Sequence, residues 1–417
     1  MLNLCTLSDS MQISELRQQF PQLSELVYSK PLVYLDNAAT ALRPQSVVQK
    51  WTDISQKHNA NIHRAVHYAA SVATQEYESA RDAVSAFINA RSREEIVFTS
   101  GTTASINLLA FTFGEAFVNE GDEILVSEAE HHSNIVPWQL MCQRKKAVLK
   151  VIPIKDDGTL DIDVLKELIT EKTKLLSVAH ISNVLGIINP VKDIINICHS
   201  KGCRVLIDGA QGIVHTRVDV QELDCDFYAF SGHKIYAAPG TGVLYGKKEL
   251  LDQMPPYMGG GEMGGNVRWT GTTYAPLPLK FEAGTPNFAS VPTFRPALEI
   301  AQQMRAQEFE NQEYKIVEYL SKALSEIEGL RIYGLPEDLN KKIALFSFSV
   351  EQVHHEDLAL ILDKMGIAVR SGQMCAEPLM DRFGVTGMLR ASFAPYNTIE
   401  EAEFFVASLK KAINMLK

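Results

Sequence analysis

From residue 95 to about residue 246, short apolar runs alternate with longer amphipathic stretches. Glu95–Thr99, Glu123–Ser127, Leu149–Pro153, Lys174–His180, Arg204–Asp208, Asp226–Ser231 and Gly242–Tyr245 read as buried strands, and most stretches between them have helical period and length. That alternation predicts an α/β fold with a largely parallel sheet and helices on both faces.

The pattern breaks at residue 247. The stretch Tyr257-Met-Gly-Gly-Gly-Glu-Met-Gly-Gly265 is too glycine-rich for a packed helix or a central strand. It reads either as a flexible linker or as a loop whose backbone approaches a ligand or a second subunit. From about residue 296 a long helical pattern begins. Lys342–Val350 then reads as a strand, and His354–Met365 and Glu400–Leu416 as helices. The expected organisation is a large domain over residues 31–295 and a small α+β domain over 296–417. Residues 1–30, with a helix around Gln12–Phe20, are expected to pack with the small domain.

Composition narrows the function classes. With 46% hydrophobic and 22% charged residues, the 417-residue chain falls among ordinary globular proteins. A formal charge of −10 argues against non-specific nucleic-acid binding, which needs a basic face. No apolar run approaches the ~20 residues of a membrane span. The opening MLNLCTLSDS lacks the basic start and long apolar stretch of a secretory signal, and Met11 is an alternative start. The six cysteines are too sparse for a disulfide framework, and none forms a C-x-x-C pair. The expected compartment is the cytoplasm.

Four segments share one arrangement: an expected strand ends and polar residues follow at once, which is where open α/β sheets bind ligands. After Ile96–Thr99, a Gly101 turn leads into a helix starting near Thr102, whose free amides suit a phosphate, with Thr102 and Thr103 adding hydroxyls. Ordinary N-capping is the plainer reading of the same residues. After Ile124–Ser127 come His131 and His132. Adjacent histidines point differently and no suitably spaced carboxylate accompanies them, so no metal is expected; they read either as exposed loop histidines or as a flat imidazole able to stack on an aromatic cofactor ring. Asp208 ends the apolar run Arg204–Asp208, where a carboxylate needs a partner such as a pyridinium nitrogen, a metal or a helix cap. Lys234 follows 26 residues later in Ser231-Gly-His-Lys234. A lone loop lysine is ordinarily a solvated charge, but among apolar and aromatic neighbours its pKa can fall toward what Schiff-base formation requires.

Asp208-Gly-Ala-Gln211 followed by Ser231-Gly-His-Lys234 closely resembles the class V aminotransferase family, specifically its cysteine desulfurases. Asn61-Ile-His-Arg64, Glu130-His-His132, Phe281-Glu-Ala-Gly-Thr-Pro-Asn287 and Arg370-Ser-Gly-Gln-Met-Cys375 narrow the resemblance to the SUF-type (group II) desulfurases and selenocysteine lyases. It runs from about residue 12 to the C-terminus. It implies the fold type I architecture of pyridoxal 5'-phosphate (PLP) enzymes and a homodimer. Lys234 would be the Schiff-base lysine, Asp208 would pair with the ring nitrogen, Gln211 would bond the ring hydroxyl, and His131 would stack on the ring. Thr103, Ser231 and His233 would bind the phosphate, with Thr285 contributed by the other subunit. Asn183 and Arg390 would hold the substrate, and His63 and Arg64 would line the entrance. Cys375 would take sulfur from L-cysteine as a persulfide, leaving L-alanine, and pass it on for iron–sulfur cluster assembly; L-selenocysteine would serve the same groups.

Two departures stand out. Related enzymes often carry two histidines before the cysteine, where Gln373 and Met374 stand here, and Met374 cannot trade protons. Relatives with a zinc-bound acceptor use a histidine in the preceding helix, where this chain has Glu356; this favours a non-zinc, cysteine-bearing acceptor. Two rivals remain at this stage. One is a PLP transaminase or other class V lyase in which Cys375 is incidental. The other is a non-catalytic sulfur-carrier scaffold, which would be expected to lack Lys234 or Asp208.

Overall fold

The computed structural model describes residues 13–305 and 307–417. The alternative start at Met11 and the first residue of the expected N-terminal helix, Gln12, lie outside the described residues.

All seven strands anticipated between residues 95 and 246 form one sheet: β1 (Ile96–Thr99), β2 (Glu123–Ser127), β3 (Val148–Ile152), β4 (Thr173–Ala179), β5 (Arg204–Asp208), β6 (Phe227–Ser231) and β7 (Gly242–Gly246). Their order is β1-β7-β6-β5-β4-β2-β3. The pairs from β6 through β3 are parallel, while β7 runs antiparallel to both β1 and β6. The ten residues between Ser231 and Gly242 are too few for the crossover a parallel neighbour needs, so β7 must reverse. The central strands β2 and β6 are buried along their whole length, whereas edge strand β3 exposes Val148 and Val151. Buried on both faces, the central strands read as continuous apolar runs. Because β2, β4, β5 and β6 share a direction, Ser127, Ala179, Asp208 and Ser231 finish at one edge of the sheet.

A second sheet, all antiparallel, contains β8 (Leu330–Tyr333), β9 (Leu345–Val350), β10 (Arg370–Gly372) and β11 (Met388–Ser392) in the order β8-β9-β11-β10. Alternation along β9 and β11 divides their labour. Phe346, Phe348, Leu389 and Ala391 enter an apolar core with Leu320, Leu362, Phe405 and Leu409 from the covering helices. Ser347 and Arg390, paired across the ladder, turn to the other side and bond the carbonyls of Val184 and Asn183 on the large sheet's connections. The last helix, Ile399–Leu416, starts with a capping box between Thr398 and Glu401, a device worth about 1 kcal/mol.

The N-terminal stretch bridges both cores. Leu16 and Phe20 join the large core, Val33 and Leu35 the small one, and Arg17 ties to Glu401 at 2.8 Å. Two expectations need correcting. The helical pattern from residue 296 is two helices, Phe294–Met304 and Gln307–Ser325. The glycine-rich stretch is no structureless linker: it leads into an antiparallel hairpin, Gly264–Arg268 with Gly271–Tyr274, that presents Val267 and Trp269 to solvent. No helix among the described residues is long and apolar enough to cross a membrane.

Candidate active site

At the carboxyl edge of the large sheet a cavity of about 340 Å³ opens under the second sheet. Ten of the thirteen residues singled out from the sequence line it: Thr103, His131, Asn183, Asp208, Gln211, Ser231, His233, Lys234, Cys375 and Arg390.

One end is a helix start. Gly101 has φ +152°, a conformation open to glycine, and a Cβ on Gly242 would meet the Gly101 backbone at 2.4 Å. Two glycines therefore let β7 press against the turn that begins the helix Thr102–Phe117. The Thr102 amide donates to Ser231 Oγ at 2.8 Å, and the Thr103 and Ser133 hydroxyls meet at 2.6 Å. Helix-start amides, hydroxyls and the positive dipole end converge here, a cradle suited to a phosphate.

The floor holds Asp208 and Lys234. The Asp208 carboxylate accepts from the Ala210 amide at 2.9 Å, and burial raises its pKa, with the Ala210 bond and the Lys234 charge opposing. Burial also pushes the Lys234 ammonium down to about 8, partly countered by Asp208. Neither group carries an ion pair among the described residues. An unpaired buried carboxylate and an easily neutralised amine fit the ring nitrogen and the aldehyde carbon of PLP. Gln211 is pinned through Nε2 to the Ala38 carbonyl at 2.8 Å.

His131 hangs over this floor. Its Nδ1 accepts from the Ser133 amide at 3.0 Å, which leaves the proton on Nε2. Burial, then the Lys234 charge, lowers its pKa to about 4, so the ring is neutral near pH 7 and able to stack. The loop is anchored by Glu130, a carboxyl raised to about 7 by burial. It bonds the Ser127 hydroxyl, Asn134 Nδ2 at 2.7 Å and the Ala179 amide at 3.1 Å. Sequence reading quoted Glu130 without giving it a task; a carboxylate just past an apolar strand was the available signal.

The roof is Arg390, buried, with its pKa lowered to about 10 by burial despite the Asp36 charge. Its Nη1 donates to the Asn183 carbonyl at 2.8 Å and Nη2 to Asp36 at 3.3 Å, while the buried Nε has no partner among the described residues. Asp36 also holds Arg370, at 2.5 Å through Nη2. Sequence reading missed both Asp36 and Arg370 as site residues. They meet only because the strand Val33–Tyr34 pairs with Ile367–Ala368. Asn183 does not point a free amide into the cavity; its Nδ2 donates to the Met374 carbonyl at 3.0 Å.

Cys375 is exposed at the cavity rim. It and Met374 have φ of +55° and +52°, two consecutive left-handed residues without a glycine. The remaining three candidates lie elsewhere on this chain. His63 sits between Glu78 (3.2 Å) and Glu262 (3.7 Å), and Arg64 also pairs with Glu262 at 3.0 Å. The hydrogen bond to Glu78 raises the His63 pKa. Thr285 lines a separate cavity beside Tyr77 and Phe98, on a segment fixed by the buried Arg81–Glu282 pair at 2.7 Å.

A half-buried lysine and a buried carboxylate at the carboxyl edge of a mainly parallel α/β sheet, roofed by a smaller sheet, define a fold type I PLP enzyme. The Aminotransferase class-V family matches residues 33–405, and the chain belongs to that family. It is 45% identical over 401 residues to the probable cysteine desulfurase of Halalkalibacterium halodurans, covering 96% of this chain and 98% of that protein. With the cysteine desulfurase of Serratia proteamaculans it shares 45% over 408 residues, 98% of this chain and 100% of the relative. Among solved structures, the cysteine desulfurase CsdA from Escherichia coli superposes with a TM-score of 0.90 at 40% identity, covering 98% of this chain and 100% of that one. The apo cysteine desulfurase from Thermococcus onnurineus NA1 gives 0.92 at 37%, covering 97% and 99%.

Proposed function

We propose that the protein is a PLP-dependent cysteine desulfurase that converts L-cysteine to L-alanine and leaves the sulfur as a persulfide on Cys375. One observation carries the reading: an exposed thiol shares a single cavity with a half-buried lysine, a buried carboxylate and a buried arginine. A transaminase has no use for that thiol.

Lys234 would hold the cofactor, Asp208 its ring nitrogen, Gln211 its hydroxyl, His131 its face, and Thr103, Ser231 and His233 its phosphate. When bound, PLP supplies an electron sink for charge developing at the substrate Cα. Arg390, which lines the cavity, would take the substrate carboxylate. Lys234 Nζ, with its pKa near 8, is suited to take the Cα proton at neutral pH. The Cys375 thiolate attacks the substrate sulfur. The new S–S bond forms as the S–Cβ bond breaks, the released electron pair stays on carbon, and protonation there completes alanine. The persulfide then passes to an acceptor protein for iron–sulfur assembly. L-Selenocysteine presents the same carboxylate and amine to these groups.

Thr285 lies off its own chain's cavity, which supports a homodimer in which each chain completes its partner's site. His63 and Arg64 would reach the entrance in the same way. The smaller unit, expected over residues 296–417, would carry the cysteine loop, although the helix Phe294–Met304 at its start packs into the large core. Glu356 occupies the exposed first turn of the helix His355–Lys364, which supports a SUF-type acceptor that binds without zinc.

Mass spectrometry of the purified holoenzyme after incubation with L-cysteine tests the reading. One added sulfur on Cys375, with alanine released in proportion, is expected. Alanine formation without sulfur on that residue would refute it.

A further inference from the structure

The two adjacent histidines face different ways, and only His131 lines the cavity. His132 turns to the thiol loop and meets it in three places, with the Glu377 carboxylate 3.7 Å from its Nε2. Its backbone N–H donates to the Cys375 carbonyl at 2.8 Å, and its Nε2 accepts from the Glu377 amide at 3.1 Å. These contacts bracket Ala376, so a single residue grips the chain on both sides of it.

The grip falls where the loop most needs it. Left-handed backbone at Met374 and Cys375 is unfavourable for side-chain-bearing residues and persists only when surrounding contacts over-determine it. A third tie, Asn183 Nδ2 to the Met374 carbonyl at 3.0 Å, joins from the large sheet's side. The Ala376 amide closes the turn on the Gln373 carbonyl at 3.0 Å. His132 is in turn held by the short helix His132–Asn134, whose Asn134 is anchored through Glu130 and Ser177 to the main sheet.

We infer that His132 is a positioning residue for the sulfur-transfer step: it fixes the Cys375 thiol relative to the ring that its neighbour His131 would cover. One dipeptide thus sets two distances at once. Ring and thiol are referenced to the same rigid turn, although one belongs to the large sheet and the other to a loop of the small one. The inference rests on the desulfurase reading for its consequence, but not for its geometry.

The role asks for a hydrogen-bond acceptor at the place of Nε2. Glutamine reaches that place with its amide oxygen; asparagine stops short, near Nδ1. In the purified holoenzyme, His132→Ala and His132→Asn are expected to lower kcat for alanine formation by roughly tenfold or more, since a thiol displaced by an ångström loses alignment. KM for cysteine should stay within about twofold, because substrate binding is untouched. His132→Gln should recover most of the rate. Amide hydrogen exchange at Glu377 should be fast in the Ala and Asn variants and slow in wild type and in His132→Gln.

A His132→Gln variant as impaired as His132→Ala would overturn the inference, as would Glu377 exchange that is the same in all four proteins. If the alanine variant does not fold, the asparagine and glutamine variants decide between them. Should wild type leave no sulfur on Cys375, the desulfurase reading fails while the exchange comparison still judges the grip.

Discussion

Around Asp208 and Lys234 the cavity wall is the edge of a buried sheet; around Cys375 it is a loop with two consecutive left-handed residues and an exposed thiol. The floor is built of groups whose ionisation has been moved: Lys234 down to about 8, His131 down to about 4, Asp208 upward. Low polarity does this work, and only a wall that does not move can keep water out. The rim is built of strained backbone held by a few hydrogen bonds, which can be released. A cofactor needs the first kind of surface. A thiol that must collect sulfur inside and hand it over outside needs the second.

Substitutions separate these two regions, and the largest effects fall on the chemistry itself. Lys234→Ala and Cys375→Ala are each expected to reduce alanine formation from cysteine at least about a thousandfold. They should differ in colour. Loss of the lysine removes the cofactor's visible absorbance from the desalted protein, whereas loss of the thiol leaves it intact. Equal spectra in the two variants would erase the distinction between floor and rim.

Asp208→Asn comes next. Removing the charge that keeps a ring nitrogen protonated should cost about a hundredfold in kcat, with Cys375 still alkylated at the wild-type rate. Alkylation that changed with the floor mutation would mean that the two regions are mechanically one.

The amine itself offers a pH test. Only neutral Lys234 can attack an aldehyde, and its pKa lies below the usual lysine range at about 8. Capture of PLP by the apoprotein should therefore accelerate as pH rises through about 8 and level off above, where an ordinary lysine would still be accelerating near pH 10. Stopped-flow absorbance would show this directly, and a rate still climbing steeply at about pH 9.5 would point to an unshifted lysine.

Asp36→Asn probes the junction of the two regions, since one carboxylate holds both Arg390 above the floor and Arg370 beside the rim. Losing a charge-assisted bond of about 1.5–3 kcal/mol should raise KM for cysteine by roughly tenfold to a hundredfold while kcat changes less. A kcat effect larger than the KM effect would place Asp36 with the thiol rather than with the substrate carboxylate.

Met374→His should have the smallest effect. It restores a proton-trading group at the rim, and is expected to add an ionisation near pH 6.5 to the kcat profile. If both the pH–rate profile and stimulation by the acceptor stay unchanged, that rim position has no part in acid–base help.

Much of the floor was legible in the chain because strand-end chemistry is local. Asp208 and Ser231 each close an apolar run, and β5 and β6 are neighbours in the sheet, so their ends had to meet. The rim was legible only in part. Cys375 could be named, but nothing near it in sequence showed that Asn183 would bond the Met374 carbonyl or that His132 would grip the loop. Asp36 stayed invisible because its partners lie more than 330 residues away, joined through a two-residue strand pairing.

By itself, then, the sequence determined the strands, their largely parallel packing and the set of reactive side chains, since hydrophobic period and residue chemistry are properties of short segments. Tertiary structure alone decided which of those side chains share a cavity. It also decided that Asn183 faces the thiol loop, and that Thr285, His63 and Arg64 stand off their own chain's site. The physical reason is that burial, charge neighbours and left-handed strain arise from contacts between distant segments.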